Sequence, residues 1–145
     1  MKIKKVRAGA ITPTYGSRMA AGADLYACTD CDYKVIPPHT TVKIGTGIAM
    51  EIPRGWWGGI YARSGLATKQ GLAPANMVGV IDADYRGEII VAIHNYSNEK
   101  RIINNGERIA QLIMHPLFQI EEFEEVEELS DTERGEGGFG STGTN

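Results

Sequence analysis

The stretch TVKIGTGIAMEI, residues 41–52, alternates with a period of two: Val42, Ile44, Ile48, Met50 and Ile52 are apolar and all fall on even positions. Successive side chains of a strand point to opposite faces, so this run buries one face of a β-strand. A helix would need its apolar positions three and four apart. Pro53-Arg54-Gly55 closes the run as a turn. MVGVI (77–81) and EIIVAIHN (88–95) flank the polar run 82–87 and predict a hairpin. Asn105-Gly106, the strongest short turn signal in the chain, joins RIIN to ERIAQLIM. Both faces of the second segment are largely apolar, as a central strand requires.

Helical signals are few. SGLATKQG predicts one short helix capped by Ser64 and stopped by Gly71. In QIEEFEEVEEL the residues Ile120, Phe123, Val126 and Leu129 recur every third position, which fits a helix or an extended strand. With 18 glycines and many short strands in 145 residues, the reading is one all-β domain, a sandwich or jelly roll. From Ser130 onward apolar residues almost vanish, so the tail is expected to be mobile.

Charge is uneven. Residues 121–136 carry nine acidic side chains and one basic, whereas the first 120 residues are mildly basic. That body suits an anionic small molecule but is too weakly charged to argue for nucleic acid. No run approaches the ~18 apolar residues of a membrane helix, and MKIKKVRAGA lacks the apolar stretch of a secretory signal. The expectation is a soluble cytoplasmic protein with no membrane partner. Cys28 and Cys31, in CTDC, have no further ligands at zinc spacing and read as two reduced thiols near a strand end.

Three stretches can carry chemistry. In GVIDADYRGE (79–88), Asp82, Asp84 and Gly87 match positions one, three and six of a calcium loop. Arg86 and Ile93 occupy positions five and twelve, so the ligand set fails; a polar turn is the plain alternative. ARSGLA (62–67) combines a guanidinium, a hydroxyl and a helix start, which serves equally as a phosphate clamp or an ordinary capped turn. RGEGGFGSTG (134–143) has the glycine spacing of a P-loop, but Thr144-Asn145 stands where Lys-Ser/Thr belongs. A flexible linker rarely holds an arginine and a phenylalanine at such places.

Together with AGADLYA (21–27) and ERIAQLI (107–113), these stretches give five motifs in order, and the chain resembles the trimeric dUTPases. The resemblance implies an all-β jelly roll (β-clip type) over residues 1–129 and a flexible C-terminal lid, residues 130–145, completing a neighbouring active site of a homotrimer. It implies Mg²⁺-dependent hydrolysis of dUTP to dUMP and pyrophosphate, which limits uracil in DNA and supplies dUMP for thymidylate.

By motif, Asp82 would be the general base and Asp24 would hold Mg²⁺ through water. Arg63, Ser64, Gly65 and Gln111 would hold the triphosphate. Asn76 and the backbone of Val80, Ile81 and Ile90 would read uracil, with Tyr85 under the deoxyribose. In the lid, Phe139 would stack on uracil, Gly140, Ser141 and Thr142 would bind the γ-phosphate, and Arg134 would act as an arginine finger. The chain departs from the family pattern at Ala62, where proline is common, and at Glu136, where a small or polar residue is common. A dCTP deaminase, or a nucleotide-gated signalling protein on the same fold, is the alternative.

Overall fold

The alternating run 41–52 does bury its even side, with Ile44, Ile48, Met50 and Ile52 in the core. It does so as two strands, because Gly47 adopts φ +68° and turns the chain between them. The computed structural model describes residues 1–138. Among these, the strands are β1 (Lys2–Lys5), β2 (Thr14–Tyr15), β3 (Ala23–Tyr26), β4 (Tyr33–Ile36), β5 (Thr41–Gly45) and β6 (Ile48–Glu51). There follow β7 (Trp56–Tyr61), α1 (Ser64–Gln70), β8 (Leu72–Pro74), β9 (Gly79–Ile81), β10 (Ile90–Asn95), β11 (Arg101–Asn104) and β12 (Arg108–Pro116). The all-β expectation holds; α1, seven residues long, is the one α-helix among the described residues.

The largest sheet has the order β2-β3-β12-β7-β9, and all its pairings are antiparallel. β12 lies at its centre, as the two apolar faces of ERIAQLIM require. β5-β10-β8, β1-β6 and β4-β11 form the smaller sheets. Leu25, Ile36, Ile44, Ile48, Ile89, Ile93, Ile103 and Ile109 fill one shared core. Because β5 pairs with β10 and β6 with β1, the chain changes sheets at Thr46-Gly47. The fully buried Thr46 hydroxyl donates to the Ile89 carbonyl at 2.8 Å, which satisfies a polar side chain at the crossing.

Three local expectations change. The segments 77–81 and 88–95 do not pair as a hairpin: both edges of β10 are occupied by β5 and β8, so β9 pairs with β7 instead. Asn105-Gly106 does turn the chain, with Gly106 at φ +79°, but β11 and β12 enter different sheets. The helix is stopped by Gly71 at φ 67°, whereas its N-cap is Arg63 and the cap makes no side-chain bond. The Ser64 side chain makes no cap because Ser64 is already the first helical residue. After Pro116, residues 117–138 form neither helix nor paired strand, and Ile120, Phe123 and Leu129 are exposed.

Candidate active site

In β3 the apolar Ala23 and Leu25 point into the core, which leaves Asp24 and Tyr26 on the opposite face. Asp24 is in register with Gln111 of β12, and Gln111 with Tyr61 of β7. Strand alternation therefore delivers a carboxylate and a side-chain amide to one face of the central sheet. Arg63 donates from Nε to Asp24 Oδ1 at 2.8 Å, and Arg108 from Nη1 to Oδ2 at 3.2 Å. Gln111 donates to the Ala62 carbonyl at 2.9 Å, which fixes the corner where β7 runs into α1.

Ser64 and Gly65 open α1 beside that corner. The first helical bond runs from the Ala67 N–H to the Arg63 carbonyl, so the preceding N–H groups have no partner inside the helix. Asp24, Arg63, Ser64, Gly65, Arg108 and Gln111 line one cleft of about 250 Å³, with Gly16, Ala20 and Gly22. Gly22 is there by necessity: a Cβ would lie 2.6 Å from Gln111 Oε1 and 3.1 Å from its Cβ. A larger cleft of about 580 Å³ beside Asp84 and Arg86 holds none of the expected site residues.

The expected base-reading residues form a second group. Asn76 precedes a tight turn in which the Val78 N–H donates to the Asn76 carbonyl at 2.7 Å and Met77 takes φ +63°. Such a turn at a non-glycine residue is strained, and strain of this kind collects at working sites. Val80 and Ile90 are exposed, and Ile81 lies at the end of β9. Asp82 is exposed at the head of the following loop, where its carbonyl accepts from the Tyr85 N–H at 3.2 Å. The Tyr85 hydroxyl donates to the Glu88 carbonyl at 2.9 Å.

Within the single chain the two groups stand apart. Ile81 opposes Gly58 on β7, whereas Asp24 reaches β7, through Gln111, at Tyr61. Three strand spacings across the sheet and four residues along it put Asp82 about 20 Å from Asp24. Arg134 joins neither group; its Nε donates to the Gly137 carbonyl at 2.7 Å within the tail. Phe139, Gly140, Ser141 and Thr142 lie outside the described residues.

Four cleft residues, Gly16, Ala20, Gly22 and Arg108, have no role assigned from the sequence, and two of them shape the cleft directly. Arg108 is the second residue of the motif ERIAQLI, and its signal is the bulge that the ladder shows between Arg108 and Ala110. The signal for Gly22 is a glycine beside a strand start, where another side chain approaches closely. Neither is visible without the partner strand. Cys28 and Cys31 are free thiols, as expected, and burial pushes the Cys28 thiol above its ordinary range.

A carboxylate caught between two guanidinium groups, beside a side-chain amide and open helix N–H groups, is suited to a polyphosphate. The molecule is thus an all-β protein with a cleft whose cationic and N–H lining could receive phosphate. Comparison with known proteins narrows the class. The dUTPase family model matches residues 8–143. The deoxyuridine 5'-triphosphate nucleotidohydrolase of Desulfitobacterium hafniense is 51% identical over 134 residues, which cover 92% of this chain and 87% of that protein. This chain belongs to the dUTPase family.

Among solved structures, a mutant dUTPase of Staphylococcus bacteriophage 80alpha with dUpNHpp superposes at a TM-score of 0.88 and 29% identity. That match covers 99% of this chain and 98% of the phage chain. A mutant dUTPase from phage phi11 of S. aureus, which coordinates a structural Mg(II) ion, matches at a TM-score of 0.77 and 25% identity. It covers 88% of this chain and 96% of that one.

Proposed function

We propose that this chain carries out its family's reaction, hydrolysis of dUTP to dUMP and pyrophosphate, at a site assembled from more than one copy of the chain. The observation that carries the reading is the cleft around Asp24, where two arginines, an amide and helix N–H groups converge in a dUTPase-family chain. Arg63, Arg108, Ser64, Gly65 and Gln111 bind and orient the triphosphate. Asp82 takes a proton from water as its oxygen attacks the α-phosphorus; the bond to the bridging oxygen breaks and pyrophosphate leaves with that oxygen. The base reads no further than one water beyond its own carboxylate. A separation of about 20 Å is therefore too long for Asp82 and Asp24 of one protomer to serve the same triphosphate.

A homotrimer resolves this, with Asp82 from one copy, Asp24 and Arg63 from another, and residues 130–145 as the lid on the domain 1–129. Phe139 closes over uracil, which Asn76 and the Val80, Ile81 and Ile90 backbone read. Gly140, Ser141 and Thr142 engage the γ-phosphate, and Arg134 meets the charge that develops in the transition state.

The donor set also bears on Mg²⁺. Among the described residues no three His, Cys, Asp or Glu side chains cluster, and both Asp24 oxygens already accept from arginine. This fits an ion that keeps its waters and arrives on phosphates, with Asp24 holding it from outside the water shell. Bound there, it would neutralise charge on the phosphate oxygens. The test is turnover of dUTP, dCTP, dTTP and UTP with Mg²⁺. Pyrophosphate from dUTP far ahead of the rest is expected, and deamination of dCTP would overturn the reading.

A further inference from the structure

The loop that carries Asp82 and Tyr85 ends on Glu88, whose side-chain partners come from elsewhere in the chain. Arg7 Nε donates to both Glu88 carboxylate oxygens, at 2.8 and 3.0 Å, and the Gly47 N–H donates to Oε1 at 2.8 Å. The far end of Arg7 donates to Asp30 at 3.1 and 3.3 Å. Glu88 is well shielded, with 15% of its side chain exposed against 34% for Arg7 and 90% for Asp30. Gly45 lies against the carboxylate so closely that a Cβ there would collide with Oε1.

The backbone at the same place is equally fixed. The Glu88 carbonyl accepts the Tyr85 hydroxyl, and Gly87 leaves room for the Tyr85 ring, into which a Cβ would run. Ile89, the next residue, donates to the Ile48 carbonyl at 2.8 Å and accepts from the Thr46 N–H at 3.1 Å. Glu88 thus joins the N-terminal segment, through its side chain, to the Tyr85 ring, through its carbonyl.

We propose that Arg7, acting through Glu88, is a positioning residue that sets the Tyr85 ring and so the discrimination against ribonucleotides. The proposal rests on the reading of Tyr85 as the sugar-facing residue. Without Arg7 a shielded carboxylate loses its two-oxygen partner and turns toward water. The Glu88 backbone follows, and the acceptor of the Tyr85 hydroxyl moves with it. Asp82 is held by a bond that does not pass through Glu88, its carbonyl accepting from the Tyr85 N–H, so selectivity suffers more than rate.

The test compares kcat and KM for dUTP and UTP in Arg7→Met, Glu88→Gln, Tyr85→Phe and Arg7→Met/Tyr85→Phe, with Tyr85→Ala as reference and circular dichroism as the folding check. Arg7→Met is expected to lower the dUTP/UTP ratio of kcat/KM by about threefold or more while kcat for dUTP stays within about twofold. Tyr85→Phe should lower the ratio similarly, and the double variant should go little further, because both changes cut one path. Arg7→Lys, which keeps the charge but not the two-oxygen contact, should fall between. If Arg7→Met does not fold, Glu88→Gln decides by the same ratio. A folded Arg7→Met or Glu88→Gln protein with an unchanged ratio, while Tyr85→Ala lowers it, overturns the proposal alone. An unchanged ratio in Tyr85→Ala overturns the sugar-facing reading and the proposal together.

Discussion

Gly22→Ala tests the cleft with the smallest possible addition. The new methyl would lie 2.6 Å from Gln111 Oε1, 3.1 Å from its Cβ and 3.2 Å from its Cδ. The amide oxygen can rotate away, but Gln111 Nε2 then gives up the Ala62 carbonyl at 2.9 Å. The Cβ cannot rotate away, because Gln111 is paired with β3 on one side and β7 on the other. Overpacking of this kind costs about 1–3 kcal/mol, and the lost hydrogen bond adds about 1 kcal/mol. If half of that sum is felt by the triphosphate, kcat/KM for dUTP falls by about tenfold, at about 1.4 kcal/mol per decade. The assay is pyrophosphate release, with circular dichroism confirming the fold. In a Gln111→Ala background the same glycine change should cost less, since the contacts with the amide oxygen and Cδ are gone and only the 3.1 Å approach to the Cβ remains. A Gly22→Ala enzyme within about twofold of wild-type kcat/KM would refute the argument.

Asp82→Asn should cut kcat at least about a hundredfold while dUTP affinity, measured calorimetrically, changes little; a variant keeping more than about a tenth of wild-type kcat defeats the base assignment. Asp82→Asn and Asp24→Ala chains, each nearly inactive, should regain activity when co-refolded, because a mixed trimer of the proposed arrangement contains one site with both carboxylates. Verified mixed trimers as inactive as their parents would show that both groups come from one chain. Cys31, exposed, should react with a thiol reagent well before the buried Cys28. Because burial raises the Cys28 thiol, its contribution to stability is complete below the ordinary thiol range and is lost as pH rises through the folded value. The melting temperature should therefore fall more steeply above about pH 9 in wild type than in Cys28→Ala; equal slopes would refute this.

Much of the fold is local and was legible. The even-numbered apolar set of residues 41–52 follows from strand alternation, and β12 is central because both its faces are apolar. What alternation cannot state is the partner. Residues 77–81 and 88–95 each read as a strand, yet their pairing depends on β5 and β8 already holding both edges of β10. The tail is a different case. Its three-residue spacing fits helix or strand because no packing surface among the described residues decides between them, and residues 117–138 take neither.

The candidate site was legible as a set of motifs and not as geometry. Motif order proposes which side chains belong together but not on which face they meet. Asp24, Arg63 and Gln111 converge because β3, β12 and β7 are neighbours, whereas Asp82 leaves the sheet beyond its far edge. Had the sheet run β3-β12-β9-β7, Asp82 would stand one strand nearer to Asp24. The observed order makes β7 the strand between them, and β7 is held there on one side by six cross-strand pairs with β12. A change that moved Asp82 toward Asp24 would have to break that ladder, a core element with Ile60 and Leu112 buried on it. In the proposed trimer a second copy offers its Asp82 to this cleft and leaves the ladder intact. Asp82 itself is exposed at the head of the loop, while Ala83 packs against the core and Glu88 is tied to Arg7 and Gly47 at the loop's end.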